Sequence, residues 1–179
     1  SRGFIKTGLG KRIAYNLISA FGSSSLRLAY ALALSDLILA PATPSNTARV
    51  GGVIMPITTS LAKAFGSEPQ DGPRKIGSFL MQSIYQVNTI TSAMFQTSMA
   101  GNTLVAALAL QSFGIGITWG DWAMAAIVPG IIALIIMPYF IYKVYPPEIK
   151  DAREAQQMIR EELKGLGKIS FQEWVMLGV

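Results

Sequence analysis

The chain has 179 residues, 51% of them hydrophobic and only 14% charged, with a mean hydropathy of +0.41. Soluble domains carry roughly a quarter charged residues, so this composition places the chain in a membrane. There is no Cys and no His, which removes disulfides, thiolate chemistry and the commonest general base and metal ligand, and with them most hydrolase mechanisms.

The opening, Ser1-Arg-Gly-Phe-Ile-Lys6, has neither an initiator Met nor the pattern of a signal peptide, and is read as the interior of a longer polytopic protein. Residues 1–25 set Lys6, Lys11 and Arg12 among Phe4, Ile5, Leu9, Ile13, Leu17 and Ile18, a spacing that predicts an interfacial amphipathic arm lying on the membrane surface. Residues 26–65 follow as a pair of helices. The first, Leu26 to Ala40, is stopped by Pro41 and Pro44, since proline disfavours helix in the residue before it. The second starts at Thr47, with Ser45 or Asn46 as N-cap, and runs to Phe65.

After a polar loop, "GSEPQDGPRK", residues 66–145 hold two apolar stretches. The first is punctured by Asn88, Thr89, Thr91 and Ser92, and again by Gln96, Thr97, Ser98 and Asn102, which predicts a broken transmembrane helix lining a protein cavity. Gln86, Gln96 and Asn102 are expected to hydrogen-bond between helices. The second stretch, Ala123 to Tyr142, is a cleaner crossing with Pro129 and Pro138 as potential kinks and Trp119, Trp122, Tyr139, Tyr142 and Tyr145 as aromatic belts. Residues 146–168 form an amphipathic cytoplasmic linker with Ile149, Ala152, Ile159 and Leu163 on one face. Residues 169–179 look like the start of another crossing.

Between residues 76 and 142 the only formal charge is Asp121. The basic regions at 2–12, 63–75 and 143–168 are therefore cytoplasmic by the positive-inside rule, and the turn at 114–122 is outside. Residues 26–65 must leave and return to one side, as two full crossings or as a re-entrant hairpin. The difference lies at the tip, "PATPSNTAR" (41–49), which the first topology puts among outer headgroups and the second at mid-depth, where charge and irregular backbone are usually functional.

At that tip, a helix beginning near Thr47 offers free N–H groups and a partial positive charge to a carboxylate. Ser45 and Thr47 add hydroxyl donors and Asn46 an amide donor, while Gly51 and Gly52 let another helix approach. The competing reading is that Ser45 and Asn46 only cap, the prolines only turn and the glycines only pack. Thr91 and Ser92 border the site or else bond their own helix. Asp36, about 15 Å of helix before the tip, reads as a structural or gating charge.

"TPSNTARVGGVIMPI", "LAKAFGSEPQDGPRKIGSFL" and "TSAMFQTSMAGN" together resemble the divalent anion:sodium symporter superfamily, in its branch of bacterial citrate:succinate antiporters and chloroplast 2-oxoglutarate/malate translocators. The resemblance implies an all-α membrane protein with two inverted repeats, each bearing a re-entrant hairpin and a broken helix, and an elevator-like transport domain moving against a dimeric scaffold. This chain corresponds to the mobile part of the first repeat. The resemblance further implies exchange of di- and tricarboxylates (citrate, succinate, malate, 2-oxoglutarate, tartrate), a homodimer formed through regions outside the chain, and a bacterial inner membrane or chloroplast inner envelope. Its substrate residues would be Ser45, Asn46, Thr47 and Arg49, with Thr91 and Ser92 beside them.

Sodium-coupled members lack the arginine that follows Ser-Asn-Thr-Ala here. Arg49 is therefore expected to replace a bound cation, leaving no cofactor or metal requirement and an uncompensated charge in the empty carrier; the alternative is that it pairs with Asp36, or with an acidic residue of the missing half, and only holds the hairpin shut. The rival classes are a sodium-coupled carboxylate symporter, a channel and a non-transporting scaffold subunit. An intramembrane enzyme is disfavoured because Asp36, Asp71 and Asp121 form no recognisable catalytic pair. Nucleic acid is not an expected partner.

Overall fold

The computed structural model describes residues 8–167, 169, 170, 173 and 174. Its elements in chain order are α1 (Leu9–Phe21), α2 (Ser25–Leu39), α3 (Asn46–Arg49), a π-helical turn (Val50–Ile54), α4 (Met55–Ala64), α5 (Gly77–Met94), a 3-10 turn (Gln96–Ser98), α6 (Ala100–Phe113), α7 (Trp119–Val144) and α8 (Arg153–Gly165). Apart from an isolated bridge between Ser24 and Asp151, all regular structure among the described residues is helical.

The helices assemble around one apolar core. Leu28 and Leu32 of α2, Ile54 and Leu61 of the return limb, and Phe79 and Leu80 of α5 are fully buried together with Ile18 of α1 and Ile159 of α8. A second cluster of Ala33, Val87, Met94 and Leu134 continues the α2, α5 and α7 packing toward the hairpin tip. α7 is long and apolar enough to cross a membrane, and much of its surface, including Val128, Ile132, Ile135, Ile136 and Phe140, is exposed. Exposed apolar area on this scale marks a surface meant for lipid or further protein. Pro138 cannot donate to its own helix and crowds the preceding turn; beside it, the Tyr30 hydroxyl donates to the Ile135 carbonyl at 2.5 Å.

The basic regions meet at one end. An extended run after α7 places the amides of Glu148 and Ile149 on the carbonyls of Arg74 and Lys75, and that of Ala152 on the Ser23 carbonyl. There α1 and α8 cap one another. Arg12 donates to the Gly167 carbonyl at 2.9 Å and to Leu166 at 3.2 Å, while Gln156 and Arg160 donate to the Ser19 carbonyl at 2.8 and 3.0 Å. Each cation thereby meets the negative end of the other helix. One face of the expected arm packs on the protein, burying Leu9, Ala14, Tyr15 and Ile18, while Lys11, Asn16 and Phe21 are exposed; Phe4 and Ile5 lie outside the described residues.

Several boundaries differ from expectation. The linker helix begins only at Arg153, so Ile149 and Ala152 precede it. The helix break lies at Phe95–Met99, and residues 88–92 belong to the unbroken α5. The extent of a crossing at 169–179 falls largely outside the described residues.

The N-terminus of α5 is capped from a distance. Ser67, buried in the preceding loop, accepts from the amides of Ile76 at 3.3 Å and Gly77 at 2.9 Å. A Cβ on Gly77 would stand 2.9 Å from the Ser67 hydroxyl oxygen, so the glycine leaves room for the cap. Ser67→Ala in the full-length protein is expected to cost about 1 kcal/mol, the usual value of an N-cap, read as a lower thermal unfolding midpoint in detergent; an unchanged midpoint would mean that water caps α5 equally well.

Candidate functional site

The site forms where the hairpin tip meets the break between α5 and α6. Pro41 and Pro44 end α2 and expose the chain to a turn. Ser45 is the N-cap, its backbone extended and its Oγ accepting from the Ala48 amide at 3.2 Å. Asn46 is the first helical residue; its Oδ1 accepts from the Thr47 amide at 2.9 Å, and its Nδ2 reaches the Met99 sulfur at 3.9 Å. Ser45 and Asn46 are half-buried, and Thr47 is exposed. The capping role expected of Ser45 is present, and the hydroxyl of Thr47 remains at the surface.

Arg49 points the other way. It is 1% exposed, and its Nε donates to Asp36 Oδ1 at 2.8 Å. One terminal nitrogen donates to the Thr43 carbonyl at 3.4 Å and the Ser98 carbonyl at 3.5 Å. The other donates to Thr91 Oγ1 at 3.2 Å and Ser92 Oγ at 3.1 Å. A guanidinium has five N–H donors, and all five are used. Thr91 also donates to Asp36 Oδ2, which accepts from Asn88 Nδ2 at 3.5 Å.

Asp36 is therefore the partner of Arg49, the pairing weighed as the alternative, and the uncompensated cation expected in an empty carrier is absent because the carboxylate cancels it. The 13-residue separation brings the two side chains together because the chain reverses at the prolines. Thr91 and Ser92 share this buried network with Arg49, whereas Ser45, Asn46 and Thr47 lie on the tip above it.

The break is capped throughout. Asn102 Nδ2 donates to the carbonyls of Ser92 at 2.7 Å and Phe95 at 2.9 Å, and Ser98 Oγ donates to Ser92 at 2.5 Å or Phe95 at 2.8 Å. Gln96 Nε2 donates to the Ile117 carbonyl at 3.2 Å; Gln86, grouped with these residues from sequence, is half-buried on α5. Trp119 and Trp122, expected in an aromatic belt, direct their indole N–H groups to Thr97 Oγ1 at 3.1 Å and the Ala93 carbonyl at 2.9 Å. Sequence reasoning missed the Thr43 and Ser98 carbonyls as partners of Arg49 and the acceptors of the two indoles; three of these four acceptors are backbone carbonyls, which carry no residue-type signal.

Gly51 and Gly52 fall in the π-helical turn, and no atom lies within 4 Å of a Cβ built on Gly51. At Gly51 the close helix approach expected there is not made by the described residues. π-turns concentrate at functional sites, and this one follows Arg49 directly.

Two helix starts, Asn46 and Ala100, thus face a common region, joined by the Asn46 to Met99 contact. Their amides and partial positive charges suit an anion's oxygens. Thr91, Ser92 and Arg49 form a neutral, fully bonded floor beneath.

The sodium:sulfate symporter transmembrane region family matches residues 1–179. The chain is 54% identical over 178 residues to a putative malate transporter, YflS, of Bacillus subtilis, covering 99% of this chain and 37% of that protein. It is 49% identical over 179 residues to the inner membrane protein YbhI of Escherichia coli, covering 100% and 37%. It is also 49% identical over 177 residues to dicarboxylate transporter 1, chloroplastic, of Spinacia oleracea, covering 98% and 31%. The chain spans about a third of the length of these relatives.

Removing one member of a buried ion pair strands the other, at about 3–5 kcal/mol. Arg49→Gln in the full-length protein is expected to lose about that much stability, and Asp36→Asn with Arg49→Gln to cost less than the sum of the singles by about 1–3 kcal/mol. Additive losses, measured by thermal unfolding in detergent, would contradict the pair's coupling.

Proposed function

This chain belongs to the sodium:sulfate symporter transmembrane family, within the divalent anion:sodium symporter superfamily, and from that premise we propose that it forms half of the substrate site of a secondary carrier for di- and tricarboxylates. The carrier exchanges one carboxylate for another by alternating access. The observation that carries this reading is the convergence of two helix starts, at Asn46 and Ala100, above a saturated ionic floor. A carboxylate entering a low-dielectric site must replace its hydration with hydrogen bonds; the tip offers the hydroxyls of Ser45 and Thr47 and the Asn46 side-chain amide, while the backbone N–H groups of Thr47 and Ala48 are held by Asn46 Oδ1 and Ser45 Oγ. The relatives named as malate and dicarboxylate transporters support the substrate class.

Residues 26–65 act as a re-entrant hairpin. α2 has 15 residues, about 22 Å of helix against roughly 30 Å of hydrocarbon, and the tip rests against a break followed by a further 14-residue apolar helix. The hairpin, α5, α6 and α7 move together as the elevator's transport domain, with residues 1–25 and 146–168 as its cytoplasmic arm and linker. Dimerisation belongs to regions beyond this chain, and the setting is a bacterial inner membrane or the inner envelope of a chloroplast.

Exchange without sodium is the favoured coupling. The guanidinium of Arg49 is ringed by two carbonyls, two hydroxyls and a carboxylate, the oxygen ligands that hard cations take. A covalently attached cation in such a ring fills the place a bound ion would need, and its charge is already met by Asp36.

In proteoliposomes of the full-length protein, counterflow against citrate, succinate, malate, tartrate and 2-oxoglutarate should show saturable exchange of at least one. Asn46→Ala removes a charge-assisted bond worth about 1.5–3 kcal/mol and should raise half-saturation roughly ten- to hundredfold. Unchanged half-saturation and rate would reduce Asn46 to a structural residue.

A further inference from the structure

The outer turn before α7 grips the helix break at four points. Trp119 Nε1 donates to Thr97 Oγ1, Trp122 Nε1 to the Ala93 carbonyl and Gln96 Nε2 to the Ile117 carbonyl, while the Trp119 ring stacks on Phe95 with centroids 6.0 Å apart. The turn itself is stiff. Thr118 and Asp121 form a reciprocal capping box, with Thr118 Oγ1 and N donating to Asp121 Oδ2 at 2.6 and 2.9 Å and the Asp121 amide returning to Thr118 Oγ1 at 3.2 Å. The lone charge between residues 76 and 142 is spent on this cap.

Thr97 carries the grip onward. Its hydroxyl accepts from Trp119 and donates to the Pro41 carbonyl at 3.0 Å, the first residue of the tip. One acceptor and one donor role exhaust the hydroxyl proton, so the three groups form a directed chain from indole to hydroxyl to carbonyl. Pro41 follows the last turn of α2, where helix carbonyls have no intrahelical partner, and this bond supplies one. The Arg49 floor holds the tip from beneath, and the Thr97 chain holds its leading edge from the side of α7.

We propose that Thr97 is a positioning residue for the tip, and that with Trp119 it lets the first turn of α7 set where Ser45, Asn46 and Thr47 stand relative to the Ala100 helix start. Its effect on substrate rests on the carrier reading above; its effect on the tip does not. Thr97 does not touch substrate in this account. It fixes the tip through Pro41, so loosening it raises the substrate concentration needed without removing any group that binds.

Two measurements on the full-length protein test this separately. The first is hydrogen–deuterium exchange of the tip amides at residues 42–48, referenced to amides in the middle of α7. Thr97→Val, which keeps the shape and removes the hydroxyl, and Trp119→Phe, which keeps the ring stack and removes the N–H, are each expected to speed tip exchange about three- to tenfold, the worth of one hydrogen bond. Thr97→Ser should restore the wild-type rate, and combining Val and Phe should add little, because both act through one hydroxyl. Should Thr97→Val fail to fold, Trp119→Phe carries the test. Unchanged tip exchange in Trp119→Phe overturns the proposal, whatever the protein transports.

The second measurement is half-saturation for L-malate in counterflow, expected to rise about three- to tenfold in the same variants with the maximal rate nearly kept. Faster tip exchange with unaltered half-saturation would overturn the positioning role. A wild-type protein that exchanges no carboxylate would defeat the carrier reading and leave hydrogen exchange to decide the relay.

Discussion

The structure depends on one buried ion pair. Arg49 and Asp36 are nearly inaccessible, and a charge taken so far from water is tolerated only when its partner and remaining donors are satisfied. All five guanidinium donors have acceptors, drawn from α2, the hairpin tip, α5 and the 3-10 turn. No other side chain among the described residues joins so many segments at the site. Deleting the pair would leave the tip tied to the break only by the Thr97 to Pro41 and Asn46 to Met99 contacts; keeping it makes tip and break a single unit.

That unit explains how irregular backbone survives among apolar helices. Ending α5 at Met94 strands carbonyls that cost several kcal/mol each in hydrocarbon. Asn102, Ser98 and Trp122 donate to three of them, those of Ser92, Phe95 and Ala93. The hairpin turn is treated similarly, with Arg49 donating to the Thr43 carbonyl, Thr97 donating to the Pro41 carbonyl and Ser45 Oγ accepting from the Ala48 amide. With its polar groups so occupied, the site's open capacity is concentrated at the upper surface of the tip, where Thr47 is exposed and Ser45 and Asn46 are half-buried. A rigid floor beneath a short exposed donor cluster suits recognition of a small anion with little reorganisation.

Much of this arrangement was legible in the sequence. Pro41 and Pro44 marked the reversal, Ser45 the cap, and the uncharged run from Ala123 to Tyr142 the long apolar helix. Of the two interruptions read from the sequence, the one at Gln96, Thr97, Ser98 and Asn102 marks the break, while the one at residues 88–92 does not, because Ser and Thr signal interruption by composition alone. Thr89 instead bonds back to the Tyr85 carbonyl at 3.0 Å, a local bond that an unbroken helix accommodates. Arg49's partner was harder to read. Asp36 was one of two partners weighed for it, and it stands about 15 Å of helix before the tip, a length that the return limb cancels. The tryptophans were assigned by residue type to a lipid interface; each indole N–H also finds an acceptor at or just before the break, Trp119 while exposed. The π-turn at Val50–Ile54 has no signature beyond its glycines.

The central claim is that Arg49, its charge met by Asp36, fills the oxygen-lined place that a cation would take, so that the proposed carrier needs no sodium at this site. Its most direct measurement is the rate of labelled malate exchange by the full-length protein in proteoliposomes, with sodium on both sides and with sodium replaced by choline. The account predicts equal rates in the two buffers. Exchange that appears only with sodium would contradict it.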